Sequence, residues 1–148
     1  MYKNPASTVD IAVVKNNSVI LIRRKHDPFK GKWAFPGGFV DYGEPVEETA
    51  RREIMEETGM QIELVDILGI YSAPNRDPRT HTITTVFIAK PVAGTPQGGD
   101  DAAEAKWVDI DSVLADDLAF DHAQILDDLR NWLGINSGTY WSGKKRLS

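Results

Sequence analysis

The segment from Pro45 to Gly59 carries helix boundary signals at both ends, and it constrains the fold more than any other part of the sequence. Proline is favoured at the first position of a helix, and glycine readily adopts the left-handed conformation that ends one. Three apolar residues recur at every fourth position between them: Val46, Ala50 and Ile54. This spacing forms a narrow apolar stripe. The sequence therefore predicts a helix over residues 45–58 that packs on a sheet.

The same helix is strongly acidic. Glu53, Glu56 and Glu57 lie at positions i, i+3 and i+4, so their carboxylates gather within one turn, which we call the glutamate turn. Like charges repel at this spacing. Residues 41–57 contain seven acidic residues and only two basic ones. We therefore expect a cation to bind here.

A hard divalent cation is the candidate that suits these side chains. Carboxylates, carbonyls and water are the ligands that Mg²⁺, Mn²⁺ and Ca²⁺ prefer. The sequence has no cysteine and the predicted helix has no histidine, which argues against zinc and against a di-iron site. Just upstream, residues 35–38 (the glycine turn, Phe-Pro-Gly-Gly) allow the backbone to approach a ligand closely.

Residues 38–60 resemble the Nudix box. The matching positions are Gly38, Glu44, Arg52, Glu53, Ile54, Glu56, Glu57, Gly59 and Met60. The resemblance implies an α/β/α sandwich with a mixed sheet, and a hydrolase that cleaves a nucleoside diphosphate linked to another moiety. It implies that Mg²⁺ or Mn²⁺ binds the glutamate turn and the carbonyl of Gly37. Arg52 would orient the glutamates by ion pairing, for which its planar fork is suited.

The general base is less constrained by the sequence. Divalent ions on the glutamates would neutralise the pyrophosphate and lower the pKa of a bound water, whose proton a carboxylate must then accept. Glu53 is one candidate within the box. In many Nudix enzymes the base comes from a later loop, and the acids in the corresponding region here are Asp100, Asp101 and Glu104.

Substrate choice is expected to lie outside the box. Residues 72–79 and 118–123 resemble the branch of the family that includes ADP-ribose pyrophosphatases, which would produce AMP and ribose 5-phosphate. Arg76 and Arg79 are suited to binding phosphate or ribose hydroxyls, and Asp77 can accept a hydrogen bond from a sugar. An exposed loop arginine is also often only solvated.

Two alternatives remain open. The first is a nucleoside triphosphate pyrophosphohydrolase that cleanses the nucleotide pool. The second is a sensor that binds ADP-ribose or a related nucleotide without turnover. We expect such a regulator to carry an appended DNA-binding domain, and the intact glutamate set favours catalysis.

Length and composition predict a single cytoplasmic domain over residues 1–148. The net charge of −5 disfavours general nucleic-acid binding, which needs a basic face. The absence of cysteine fits a reducing compartment. No signal peptide is recognisable, and no apolar run approaches the roughly 18 residues of a membrane helix. The resemblance to ADP-ribose pyrophosphatases also suggests a homodimer, for which Trp141 is a candidate contact.

Strand patterns flank the predicted helix. The predicted strands are 8–14, 18–24, 33–35, 61–71, 81–89 and 105–110. Asn16 and Asn17 suit a hairpin turn between the first two strands, and Asp66 suits a bulge. Strands on both sides of a central helix, followed by a C-terminal helix, predict an α/β sandwich with a mixed sheet.

The C-terminal third is predicted to be helical and then loose. Asp111 can cap a short helix, and Asp121 can cap a longer one that runs to Trp132. His122 is expected to make a hydrogen bond at the start of this helix. The tail from Gly134 is polar and basic, and we expect it to be loosely ordered.

Overall fold

A computed structural model describes residues 3–99 and 101–143 of the chain. The strands are β1 Ala6–Lys15, β2 Ser18–Arg24, β3 Trp33–Ala34, β4 Gly37–Phe39, β5 Gln61–Tyr71, β6 Thr82–Ala93, β7 Ala102–Asp109 and β8 Tyr140–Trp141. The helices are α1 Val46–Thr58 and α2 His122–Ile135, with two 3-10 turns at Ile110–Ser112 and Ala115–Asp117. Within the described ranges, neither helix has the length and apolar character needed to cross a membrane.

The strands form one mixed sheet in the order β3-β2-β1-β6-β5-β8, with β4 paired to β1 and β7 paired to β2. β1 and β6 are parallel over eight residue pairs, whereas β5 and β6 are antiparallel. The β1–β2 hairpin turns at Asn16, whose φ of 55° is the left-handed value that this tight turn requires. The predicted α/β class with a mixed sheet is confirmed.

The sheet lies between two apolar layers. On one face Ala50 and Ile54 of α1 pack with Ile11 of β1, and on the other face Ile125 and Leu129 of α2 pack with other residues of β1, β5 and β6. All five side chains are fully buried. Because burying one such side chain contributes about 2 kcal/mol, these stripes hold α1 firmly against the sheet. The predicted apolar stripe of α1 is therefore confirmed, and it leaves the glutamate turn facing β4.

The predicted boundaries of α1 are correct to within one residue. The helix begins at Val46, because Pro45 has an extended ψ of 149° and occupies the N-cap position instead. The carbonyl of Pro45 accepts from the backbone N–H groups of Glu48 and Thr49. The helix ends at Gly59, whose φ of 72° is left-handed as predicted.

Both predicted aspartate caps are wrong in detail. Asp111 lies inside the first 3-10 turn, and Asp109 caps that turn by accepting from the Asp111 N–H at 2.9 Å. Asp121 does precede α2, but its carboxylate makes no capping hydrogen bond. It binds the guanidinium of Arg76 instead, at 2.7 and 2.9 Å. A charge-assisted bidentate pair is stronger than a neutral cap and explains this choice.

Strand limits differ from the sequence prediction where distant strands meet. β7 begins at Ala102 rather than at residue 105, because it pairs with β2 as far as Arg24. β6 continues to Ala93, paired with β5. The register of β5 shifts between Leu64 and Asp66, as the predicted bulge requires.

The prediction of a loosely ordered tail from Gly134 is wrong for residues 134–143. α2 continues to Ile135, and β8 then pairs in parallel with the outer edge of β5. Tyr140 packs into the core beside α2. An unpaired strand edge readily accepts another strand, and buried aromatic area adds to the gain. Residues 144–148 lie outside the described residues.

Candidate active site

The glutamate turn lies directly against β4. The Gly37 N–H donates to Oε2 of Glu57 at 3.1 Å. A Cβ added to Gly38 would lie 2.4 Å from Cδ of Glu53, and one added to Gly37 would lie 2.2 Å from Oδ1 of Asp10. Contacts this short are essentially never made by real side chains. Glycine is therefore required at position 37, where an added Cβ would also lie 2.2 Å from the Val9 carbonyl oxygen, whereas a side chain at position 38 would displace the Glu53 carboxylate.

Arg52 lies at the centre of the acidic surface. Its Nε and Nη2 bind both carboxylate oxygens of Glu44, at 2.8 and 3.0 Å. Its Nη1 donates to Glu53 at 2.8 Å and to Glu56 at 3.3 Å. Nη2 also donates to the carbonyl of Phe39 at 3.1 Å. The planar fork thus holds two members of the glutamate turn in fixed directions, which matches the orienting role that the Nudix resemblance implies.

Burial and mutual repulsion raise the pKa values of two carboxyl groups in the glutamate turn, Glu53 and Glu57. Burial, followed by the charge of Glu53, raises the pKa of Glu57 to about 9. Burial also raises the pKa of Glu53, although Arg52 opposes the shift. Hydrogen bonds from Arg52 and Thr49 lower the pKa of Glu44 to about 2. Without a cation, Glu57 therefore retains a proton near neutral pH, and a bound cation would have to displace it.

The donor set fits a hard divalent cation. The expected ligands are the three carboxylates of the glutamate turn and the backbone carbonyl of Gly37, which all offer oxygen atoms. Over residues 3–99 and 101–143 no three acidic or histidine side chains converge as they do around a bound ion. Arg52 holds Glu53 and Glu56, while Glu57 accepts from the backbone. Cation binding is thus expected to draw these carboxylates together.

Two cavities meet at this turn. The inner one, of about 80 Å³, reaches towards the sheet and is lined by Phe35, Phe120 and three threonines among others. The outer one, of about 200 Å³, is lined by His26, Asp27 and Asp101 among others. Six residues line both cavities: Arg24, Gly37, Gly38, Phe39, Glu57 and Arg79. Two of the proposed metal ligands, Gly37 and Glu57, thus lie between the two cavities.

The candidate bases from the later loop lie in different places. Asp101 lines the outer cavity, and its charge contributes to the raised pKa of Glu57. Glu104 lines neither of the two cavities and pairs with Arg23 at 3.1 Å. Those two residues are cross-strand partners in β2 and β7, so the sheet register decides where Glu104 points. Asp100 lies outside the described residues.

Arg76 forms part of the floor of the inner cavity. Its side chain is only 5% exposed, and it pairs bidentately with Asp121. It also donates to the hydroxyls of Thr82 and Thr84. Most of its donors are therefore already used, and the residue acts first as a buried support of the pocket.

Arg79 is more accessible than Arg76, with its side chain 45% exposed. Its guanidinium binds buried Asp77 at 2.8 and 3.1 Å, and its backbone N–H donates to the same carboxylate. The guanidinium also lies 5.7 Å from the ring centre of Phe39 and 5.8 Å from that of Phe120. Asp77 therefore holds Arg79 at the boundary of the two cavities.

Arg24, Phe39 and Phe120 were not identified from the sequence. The Arg24 guanidinium lies 4.9 Å from the Phe120 ring centre, and burial followed by repulsion from Arg79 lowers its pKa. Phe120 adopts a φ of 51°, which is uncommon for an aromatic residue and is often seen at functional sites. Phe39 and Phe120 lie within segments that resemble the family, but no local pattern singles out these residues, because they meet Arg24 only through the sheet and the loop before α2.

The predicted hydrogen bond of His122 at the start of α2 is confirmed, and the ring makes a second contact as well. The side chain is buried, and its Nδ1 accepts from the Phe35 N–H at 3.1 Å. Its Nε2 therefore carries the proton and lies 3.2 Å from Oδ2 of Asp10. The ring thus joins α2 to β1 and to the glycine turn.

Comparison with known proteins agrees with this geometry. The sequence matches the NUDIX domain over residues 4–129. The ADP-ribose pyrophosphatase of Methanocaldococcus jannaschii is 48% identical over 132 residues, which are 89% of this chain and 77% of that protein. The ADPR responsive transcriptional repressor NtrR of Acinetobacter baylyi is 31% identical over 84% of this chain, but over only 53% of the repressor.

A solved structure gives the same result. The NUDIX domain of Shewanella oneidensis NrtR, complexed with ADP ribose, superposes with a TM-score of 0.77 at 30% identity, covering 89% of this chain and 90% of that chain. Nudix hydrolases generally need a divalent metal ion, which agrees with the oxygen donor set of the glutamate turn. Fold, box and relatives all lead to one assignment: the chain belongs to the Nudix hydrolase family.

Proposed function

We propose that this protein hydrolyses the pyrophosphate bond of ADP-ribose, in the presence of Mg²⁺ or Mn²⁺, to AMP and ribose 5-phosphate. One observation carries the proposal: Glu57 of the complete glutamate turn lines both the inner and the outer cavity. A substrate with a phosphate bridge between two larger groups fits such an arrangement. The relative from M. jannaschii bears the name of the same activity.

The side chains around the glutamate turn can provide the charge neutralisation that hydrolysis of a pyrophosphate bridge requires. Attack on a pyrophosphate is slow because the bridge is strongly anionic. A divalent ion held by the glutamate turn and the Gly37 carbonyl would neutralise charge and lower the pKa of water. Arg52 fixes the directions of the carboxylates, and the guanidinium groups of Arg24 and Arg79 lie beside both cavities. They are suited to binding the phosphate oxygens.

Hydrolysis forms one phosphorus–oxygen bond and breaks another. The oxygen of water attacks one phosphorus, the bridging oxygen leaves with the other phosphate, and the released proton passes to a carboxylate. Glu53 in the box and Asp101 in the outer cavity are the two candidate bases that lie beside the site. Glu104 remains a weaker candidate, since it would first have to leave Arg23.

The substrate-binding residues have distinct proposed roles. Arg79 binds phosphate directly, because its guanidinium is accessible and borders both cavities. Asp77 orients Arg79 through three hydrogen bonds. Arg76 shapes the floor of the inner cavity, because Asp121, Thr82 and Thr84 together use four of its five N–H donors. All three lie in the loop between β5 and β6.

The sensor alternative has support of its own. One relative is named an ADPR responsive transcriptional repressor, and a structural neighbour was crystallised with ADP ribose. A site that binds ADP-ribose therefore occurs in proteins of this fold that are named for regulation. The intact glutamate turn and its ion-pair support favour catalysis for this chain.

The first experiment is a hydrolysis panel. The protein is incubated with Mg²⁺ or Mn²⁺ and with ADP-ribose, other nucleoside diphosphate sugars, dinucleotides or nucleoside triphosphates, and the products are separated by chromatography. We expect AMP and ribose 5-phosphate from ADP-ribose as the best substrate. Preferred cleavage of triphosphates would replace the proposal with nucleotide-pool cleansing. No cleavage, together with a rise in melting temperature on adding ADP-ribose, would favour the sensor.

We also propose that residues 1–148 act as one cytoplasmic domain, bind no nucleic acid and form a homodimer. Exposed apolar residues line the outer part of the sheet: Ile67, Ile70 and Trp141 are each 43–51% exposed. Ile70 and Trp141 are direct neighbours in β5 and β8. Light scattering coupled to gel filtration should give twice the monomer mass of 16.4 kDa, and Trp141→Ser should lower it. A monomeric parent protein would remove this part of the proposal.

A further inference from the structure

The outer cavity differs from the inner one in its chemistry. The inner cavity offers the aromatic rings of Phe35 and Phe120 together with polar side chains such as Asp10 and Thr84. Apart from residues common to both cavities, the outer one is lined by His26, Asp27 and Asp101, which are all polar or charged. A purine base, which stacks on aromatic rings and makes hydrogen bonds through its edges, suits the inner cavity, whereas a group rich in hydroxyls suits the outer one.

The phosphate bridge would lie between these spaces. Gly37 and Glu57 of the proposed metal site line both cavities, and so do the two arginines Arg24 and Arg79. The two arginine side chains, together with Gly37 and Glu57, therefore lie at the boundary between the two cavities. When the nucleoside of a substrate lies in the inner cavity, the group attached to the second phosphate of the bridge lies in the outer cavity.

The loop between β2 and β3 that carries His26 and Asp27 is held in place from several sides. Nε of Arg24 donates to the Pro28 carbonyl at 2.7 Å. The ring of Phe29 packs edge to face on Phe120, with centroids 4.9 Å apart. At the start of the loop, a backbone hydrogen bond of 3.2 Å joins residues 25 and 101. Residues at the rim of the outer cavity are thus presented by an ordered loop rather than by a free one.

Within the described residues, the carboxylate of Asp27 makes no hydrogen bond or ion pair. His26 lies 3.8 Å from Asp101, both with largely exposed side chains. An ionised carboxylate is an acceptor with about four lone-pair sites and can bind two neighbouring hydroxyls at once. Asp27 is therefore available to a ligand that donates hydrogen bonds.

From this juxtaposition we infer that the outer cavity is a sugar subsite, in which Asp27 accepts hydrogen bonds from the hydroxyls of the sugar on the far phosphate and His26 supports it. The inference rests on the proposed function and deepens it. Such a subsite would also disfavour nucleoside triphosphates. A triphosphate would place a terminal phosphate near Asp27 and Asp101, and like charges in an interface oppose binding.

The test compares two substrates in matched variants. Asp27→Ala removes the charge and the acceptor, Asp27→Asn removes the charge alone, and His26→Ala reports the supporting residue. Asp116→Ala is the control, because Asp116 is exposed and lines neither cavity. Kinetic constants are measured for ADP-ribose and for ATP, and melting temperatures confirm that each variant is folded.

We expect Asp27→Ala to raise KM for ADP-ribose about tenfold with a smaller effect on kcat, because the contact acts on binding in the ground and transition states. KM for ATP should stay the same or fall. Asp27→Asn should retain part of the affinity for the sugar. The control should leave the ratio of kcat/KM between the substrates unchanged.

Equal effects on both substrates, or none with either Asp27 variant, would overturn the subsite while leaving the proposed hydrolysis intact. If the parent protein cleaves neither substrate, the proposed function fails, and calorimetric binding of ADP-ribose and of AMP replaces the kinetics. Weaker binding of ADP-ribose alone in Asp27→Ala would then still support the subsite. Equal weakening for both ligands would refute it.

Discussion

Glu57→Gln should lower kcat for ADP-ribose by on the order of a thousandfold while the protein remains folded. Glutamine has the same shape and can still accept the Gly37 N–H bond, but it cannot supply the negative charge that a divalent ion requires. Activity is measured under saturating Mg²⁺ and Mn²⁺. Added metal should raise the melting temperature of the parent protein but not that of the variant.

A matched control lies on the same helix. Glu47 is an exposed residue of the first turn of α1, so Glu47→Gln changes the same charge away from the site. It should retain activity close to that of the parent protein. Comparable activity of Glu57→Gln and Glu47→Gln would exclude Glu57 as a metal ligand.

The stability of Glu57→Gln in metal-free buffer should depend on pH differently from that of the parent protein. Burial raises the pKa of Glu57 from 4.5 to about 9, so the native state binds this proton more tightly than the unfolded state does. The free energy of unfolding of the parent protein therefore contains a contribution that is present below about pH 4.5 and is lost as the pH rises to about 9. Glu57→Gln lacks this loss, so its melting temperature relative to the parent protein should increase with pH over that range.

Arg52→Ala should reduce both stability and activity. It leaves Glu44, Glu53 and Glu56 without their common partner, and the side chain of Arg52 is only 28% exposed. We expect the free energy of unfolding to fall by about 1–3 kcal/mol, less than for a fully buried pair because solvent screens part of the charge. We expect kcat to fall by about 10- to 100-fold, as for other residues that orient metal ligands. Urea denaturation and steady-state kinetics measure the two effects.

Arg51, the neighbour of Arg52 in the sequence, provides the control for Arg52→Ala. Arg51 pairs only with Glu48 among the described residues, across one turn of exposed helix, and such pairs contribute little. Arg51→Ala should therefore change stability by about 0.5 kcal/mol or less. The stability and activity of Arg52→Lys should lie between those of Arg52→Ala and Arg51→Ala, since lysine keeps the charge but loses the bidentate geometry. An Arg52→Ala variant as stable and active as Arg51→Ala would show that the ion pairs have no orienting role.

The sequence predicted the parts of the protein that depend on short-range spacing. The ends of α1, its apolar stripe and the grouping of Glu53, Glu56 and Glu57 all follow from helix geometry over fewer than fifteen residues. The β1–β2 hairpin is equally local, because two asparagines suffice for its turn. These predictions hold because the interactions that enforce them lie within one element or one turn.

Features that depend on distant pairing were missed or placed wrongly. β8 exists because Tyr140 and Trp141 find the edge of β5, about seventy residues earlier in the chain. Arg76 turned out to be a buried partner of Asp121, which therefore does not cap α2. The sequence could not show this pair, since 45 residues separate its members.

The sequence by itself therefore determined the family, the mixed α/β class and the glutamate turn, because a helical repeat with defined ends carries its own geometry. The tertiary structure alone decided which side chains meet around that turn. It placed Arg24, Arg79 and Phe120 together and left Glu104 on Arg23, outside both cavities. The physical reason is that strand register and loop packing, rather than local spacing, set the direction of these side chains.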